Sequence, residues 1–195
     1  YTMTIVETQY GKVEGFETDG LHVFLGIPFA APPVKEKRWA PLCEPTPWSG
    51  TLECRSWSSQ SWQPIVDDLG PLEFTMSPSA KANRSEDCLY LNVWAPKTSN
   101  KDAEKLPVYI YMHGGSNKAG WSYEPNYIGR KMAERDMVVV SIPYRVGVFG
   151  FFPHADSEYV NFALLDQIAA LQWVQDNIAA VGGDPARVTL AGESA

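Results

Sequence analysis

Apolar and polar positions alternate over the first 26 residues in three short runs, TIVET (4–8), GKVEGFE (11–17) and LHVFLGI (21–27). They are rich in β-branched and aromatic side chains and are divided by Gly11 and by Asp19-Gly20, which predicts a small antiparallel meander. From Pro28 to about Ser85 the periodicity fades and proline, serine and tryptophan become frequent. An irregular stretch of that length inside a compact domain tends to form a lid or a binding loop. Trp62, Leu69, Leu72 and Phe74 could line one wall of a pocket there; ordinary packing beneath a long loop explains them equally well.

Beyond Ser85 the pattern changes. CLYLNVWAP (88–96), PVYIYMHG (107–114) and MVVVSIPY (137–144) are apolar segments of strand type, the last nearly continuous, as expected of strands covered on both faces. EPNYIGRKMAERD (124–136) predicts a short helix. NFALLDQIAALQWVQDNIAAV (161–181) predicts a longer one, with Leu164, Ile168, Leu171 and Ile178 along one side and Gly182-Gly183 as its stop. RVTLAG (187–192) reads as a further strand. Strands alternating with helices predict an α/β architecture with a largely parallel central sheet, decorated by the N-terminal meander. No repeat or linker divides the chain, so a single domain is expected, with the meander at 4–26, a loop-rich segment at 27–87 and sheet strands and helices at 88–195.

Composition narrows the partners. The 195 residues are 45% hydrophobic and carry a formal charge of -7, so the chain can bury a core but has no general electrostatic reason to bind nucleic acid or anionic lipid. No apolar run approaches the roughly 20 residues that span a bilayer. The opening YTMTIVETQYGKVEG lacks a basic segment followed by an apolar one, so no signal peptide is visible, a secreted chain with its signal removed being the alternative. Cys43, Cys54 and Cys88 form an odd set without metal-ligand spacing, which fits a reducing compartment, one structural disulfide being the alternative; neither a metal nor a cofactor is expected.

Candidate chemistry lies at the ends of two strands. Gly192-Glu193-Ser194-Ala195 follows RVTLAG and supplies the first four positions of G-x-S-x-G, a turn that exposes a serine hydroxyl above a sheet. Alone it is a weak signal, because short Gly-Ser pieces are common in turns. YMHGGSN (111–117) also follows a buried strand, and its His113-Gly114-Gly115 resembles the H-G-G-G loop that lends oxyanion-hole amides in esterases. Two loops leaving one sheet edge, one with a nucleophile and one with donors, are far more specific than either alone.

These motifs, with TQYGKVEG, FLGIPFAAPP, SEDCLYLNVWAP, VVVSIPYRVGVFGF and LLDQIAALQWVQDNIAAVGGDPARVTLAGESA, make the chain similar to the type-B carboxylesterase or cholinesterase-like family of α/β-hydrolases along nearly its whole length. It looks most like bacterial members of the p-nitrobenzyl esterase kind. The resemblance implies Ser194 as nucleophile and the backbone N–H groups of Gly115, Ser116 and Ala195 as the oxyanion hole. Ser116 departs from the family, which usually has a third glycine there. Glu193 matches a glutamate that organises the site electrostatically, and His113 and Gly114 belong to the donor loop. Arg38 with Glu86, and Arg145 with Asp166, match structural ion pairs. Cys88 matches half of a family disulfide whose partner position is Ser61 here, and Pro143 stands where asparagine is usual.

A serine needs a base, usually a histidine oriented by a carboxylate. His22, His113 and His154 all precede Ser194, whereas α/β-hydrolase triads run serine, acid, histidine. The expectation is that residues 1–195 form the N-terminal portion of a longer serine carboxylesterase acting on a small ester, with acid and histidine beyond Ala195, so that this chain alone is inactive and needs the remainder of the same protein to complete its fold. The alternative is a non-catalytic cholinesterase-like binding module.

Overall fold

The computed structural model describes residues 2–64, 83–97, 104–153, 155 and 158–195. Leu69, Leu72, Phe74 and His154 lie outside these. The meander forms as the alternation predicts: β1 (Met3–Thr8), β2 (Gly11–Thr18) and β3 (Leu21–Pro28) pair antiparallel in succession. A short β4 (Thr51–Glu53) rises from the irregular segment and adds in parallel to β2. The remaining strands are β5 (Tyr90–Pro96), β6 (Leu106–Met112), β7 (Val138–Ile142) and β8 (Gly183–Gly192).

They join one sheet in the order β1-β2-β3-β5-β7-β6-β8. The sheet is mixed. β3–β5 and β5–β7 are antiparallel, and the parallel part expected of an α/β fold is confined to β6–β7 and β6–β8 beside the small β2–β4 pair. Every residue of β7 is buried, as are the inner five of β5, which is why those two sequences read as continuous apolar runs. Phe24, Ile27, Leu91, Val93, Ile110, Val140 and Ile142 form the core on one face, and Leu21, Val23, Trp94 and Val139 a second cluster on the other.

The predicted helix at 124–136 resolves into a 3-10 turn at Pro125–Tyr127 and the single turn α1 (Arg130–Ala133). Gly129 interrupts it: a Cβ there would stand 2.6 Å from both Trp94 and Val139 side-chain atoms. A further short helix, α2 (Gly147–Phe151), follows β7. The long helix α3 (Phe162–Asn177) starts where Asn161 accepts a hydrogen bond from the Leu164 amide at 2.9 Å and ends through a 3-10 turn at Gly182, whose φ of +89° suits glycine.

One reading of α3 is corrected. Leu164 and Ile168 are half exposed, at 49% and 52%. The buried stripe is instead Phe162, Ala163, Asp166, Ala170, Trp173, Val174 and Asn177. The helix has apolar residues around much of its circumference, so periodicity could not choose a face. Close approach and charge did. Ala163 sits against Gly150, where an added Cβ would come within 3.2 Å of it, and Asp166 is drawn inward by Arg145. Burying Phe162, Trp173 and Val174 then contributes roughly 1.5–3 kcal/mol each. Among the described residues, no helix is long and apolar enough to cross a membrane.

Candidate active site

Parallel register brings the two loops together. Met112 at the end of β6 is opposite Gly192 at the end of β8, and opposite Ile142 at the end of β7. The segments that begin at His113, Glu193 and Pro143 therefore leave the sheet side by side at its C-terminal edge, where open α/β sheets place their ligand sites.

The contact between the first two is tight. A Cβ on Gly114 would meet the Glu193 carbonyl oxygen at 2.4 Å and the Ser194 Cβ at 3.0 Å, so only glycine lets these backbones approach. Gly115 has a φ of +129° and leaves no room for a side chain, the Ala119 carbonyl being 2.1 Å from where a Cβ would stand. Ser116 and Asn117 follow at +56° and +58°, and Ser194 itself is at +63°. A serine with positive φ costs of order 1–2 kcal/mol and persists only where its surroundings impose it.

The surroundings are visible. The Asn117 amide donates to the Ala195 carbonyl at 3.0 Å, and the Gly147 amide at the start of α2 donates to the Asn117 carbonyl at 2.7 Å, so the loop is held between the turn and the helix. The Lys118 and Ala119 amides both donate to the Gly115 carbonyl, at 3.0 and 3.1 Å, folding the chain back. Within this frame the amides of Gly115, Ser116 and Ala195 donate to no other described residue. Ser116, Glu193, Ser194 and Ala195 are exposed, whereas His113 and Gly114 are buried.

His113 acts on the loop from below. Its ring lies flat against Tyr144, centroids 4.3 Å apart, and Tyr144 donates its hydroxyl to the His113 carbonyl at 2.5 Å. Nδ1 is 2.9 Å from the Gly114 carbonyl, an acceptor, so Nδ1 carries the hydrogen. Burial depresses its pKa from 6.5 to about 4, the bond to Gly114 opposing only in part. His113 is thus a neutral strut. Neither it nor His22, which lies in β3, hydrogen-bonds to Ser194 among the described residues.

Two supports were not legible as site residues. Gln63, from the irregular segment, donates to the Gly120 carbonyl at 3.0 Å and accepts from the Gly120 amide at 2.9 Å, so one side-chain amide satisfies both backbone groups of the glycine that closes the donor loop. Glu124 is 1% exposed and accepts from the Trp121 amide at 3.1 Å. It stood at the start of the helix predicted over 124–136, and nothing in the sequence showed its burial. Trp62, the described member of the proposed wall, is 49% exposed.

The ion pairs stand where the resemblance placed them. Arg38 pairs with Glu86 on the surface. Asp166 receives the Arg145 amide and Nε at 2.9 Å and Nη2 at 2.8 Å, fully inside the protein. The pair fastens α3 to the segment after β7, and breaking it by removing one partner would leave an uncompensated buried charge. All three cysteines are free, and the buried Cys88 thiol lies in hydrogen-bonding reach of Ser61.

Similarity to known proteins identifies the family. Residues 2–195 match the model of the carboxylesterase family. The chain belongs to that family. It is 45% identical over 200 residues to the para-nitrobenzyl esterase of Bacillus subtilis (strain 168), covering all of this chain and 39% of that protein. It is 44% identical over 195 residues to the fumonisin B1 esterase of Sphingopyxis macrogoltabida, covering 96% of this chain and 34% of that protein. A solved structure of a PNB esterase superposes with a TM-score of 0.86 at 41% identity, over 99% of this chain and 38% of the other. The carboxylesterase-family fold is therefore the α/β-hydrolase one, and this chain spans well under half the length of the relatives it matches.

Proposed function

We propose that the chain supplies the nucleophile and oxyanion hole of a serine carboxylic-ester hydrolase. Ser194 Oγ attacks the ester carbonyl carbon, and its proton passes to a histidine contributed from beyond residue 195. The amides of Gly115, Ser116 and Ala195 receive the oxygen that becomes negative; donors held in place for that charge are worth roughly 3–4 kcal/mol of barrier each. Collapse of the tetrahedral intermediate expels the alcohol, protonated by the same histidine, and leaves an acyl-enzyme on Ser194. Water, deprotonated by that histidine, then releases the acid. Glu193 shapes the field beside the nucleophile without acting as its base.

The observation that carries this reading is the meeting of a serine at φ +63° with a loop whose Gly115 and Ser116 amides are unpaired among the described residues, across a contact only Gly114 allows. The domain is then one α/β-hydrolase domain of which residues 1–195 form the N-terminal portion, acting on a small-molecule ester without a cofactor. Free cysteines, buried and exposed alike, fit a reducing compartment such as the cytoplasm. The test is active-site labelling: in the full-length protein a fluorophosphonate adds its mass at Ser194, and Ser194→Ala abolishes both labelling and p-nitrophenyl ester hydrolysis. An unlabelled Ser194 in folded, full-length material would overturn the assignment.

A further inference from the structure

Glu124 is a buried ionisable group that this mechanism leaves unused. It stands four residues past the turn that closes the donor loop, with its backbone carbonyl accepting from the Tyr127 amide at 2.8 Å. Oε1 takes the Trp121 amide; Oε2 is buried and has no hydrogen-bond partner among the described residues. No cation pairs with it among the described residues. The groups near enough to interact with it electrostatically are Tyr111 from β6, Tyr127 from the 3-10 turn, Tyr144 from the segment after β7, and the Glu193 carboxylate from the segment after β8. The Tyr111 and Tyr127 rings pack with centroids 4.6 Å apart. A bare carboxylate oxygen in such a place, beside a second carboxylate, is costly, and a proton removes the cost.

We propose that Glu124 is a positioning residue that works as a neutral acid, holding a proton on Oε2 while Oε1 fixes the Trp121 amide, so that the turn at Ser194 meets one carboxylate charge, that of Glu193, and not two. Resting on the esterase reading, this has a consequence for catalysis. The oxyanion adds negative charge next to Glu193. If Glu124 gives its proton to water, a second charge enters the same low-dielectric region and opposes the transition state. Burial, with the Glu193 charge adding to it, raises the Glu124 pKa from 4.5 to about 7, so the proton is held below neutrality and lost above it.

The experiment is the pH profile of kcat/KM for p-nitrophenyl acetate at constant ionic strength, with the full-length enzyme and E124Q. Glutamine keeps the acceptor for Trp121 and cannot ionise. Wild type should lose activity about five- to tenfold on the alkaline side of neutrality, the size of effect one added charge has across roughly 12–17 Å at an effective dielectric of about 20, and E124Q should lack that descent. An alkaline limb unchanged in E124Q overturns the proposal while leaving the esterase assignment intact. Infrared difference spectra in heavy water give a readout independent of turnover: a protonated-carboxyl band that disappears through about pH 7 and is missing in E124Q. Should E124Q fail to fold, E193Q decides, because removing the neighbouring charge must move the loss of that band to lower pH; an unmoved band, or no band below neutrality, overturns the proposal. Absence of any ester hydrolysis by wild type would defeat the functional reading, and the band would still report on Glu124.

Discussion

At Gly114 one hydrogen atom separates a working contact from a collision. Gly114→Ala would drive a methyl group to 2.4 Å from the Glu193 carbonyl oxygen, and relief must come from moving the donor loop or the turn at Ser194. In the full-length protein the variant is expected to lose about 10²–10³-fold in kcat/KM while costing about 1–3 kcal/mol of stability; ester kinetics beside urea unfolding distinguish the two effects, and full activity would show the contact to be dispensable. His113 and Glu124 respond to pH with opposite signs. The folded-state pKa of His113 falls from 6.5 to about 4, so its contribution is present above 6.5 and lost as pH falls through about 4. Glu124, raised from 4.5 to about 7, contributes below 4.5 and loses that contribution as pH rises through about 7. Urea midpoints should therefore decline less steeply on acidification in His113→Gln than in wild type, and E124Q should gain on wild type from about pH 5 to about pH 8.

Among the elements, strands were easier to read than helix faces. The alternation in β1–β3 and the solid apolar runs of β5 and β7 follow directly from exposure on one face or none, and each was found within a few residues of its expected place. The faces of α3 were misjudged because Asp166, polar in sequence, is buried by its bond to Arg145, whereas Leu164 and Ile168 are turned outward. The irregular segment contributes β4 and the Gln63 bridge, neither of which has a local pattern. Its end also offers a test. Ser61 and Cys88 are both buried and within hydrogen-bonding reach of each other. Ser61→Cys should close a disulfide with Cys88 under oxidising conditions, stabilising the protein by about 3 kcal/mol through loop closure. Thiol titration and the melting temperature with and without reductant check it; a thiol titre that oxidation leaves unchanged, with an unchanged melting temperature, would refute it.

On the scale of the molecule, Leu164, Ile168 and Leu190 are each about half exposed, and β8 pairs on one side only, with β6, among the described residues. A sheet edge and apolar side chains left open in this way promote association. The proposal that a longer esterase covers them predicts opposite outcomes in two settings. Residues 1–195 expressed alone should aggregate without cooperative unfolding and without ester hydrolysis, and the double change Leu164→Glu, Ile168→Glu should lower light scattering. In the full-length enzyme the same pair should cost about 2–5 kcal/mol, as expected for buried aliphatic side chains replaced by charge. Equal tolerance in both settings would mean that the face stays open.

The amino-acid sequence by itself determined the strands other than β4, the α/β class, the family and the candidate residues Ser194, Gly115, Ser116 and Ala195, because periodicity, turn chemistry and contiguous motifs are local properties of a chain. The tertiary structure alone decided that Met112 and Gly192 end in register, that Gly114 touches the turn at Ser194, that His113 is a neutral strut and that Glu124 is sealed from solvent. Those facts depend on which strands are neighbours and on how much water reaches a group. Both are set by packing between residues far apart in sequence, and no short window of the chain contains them.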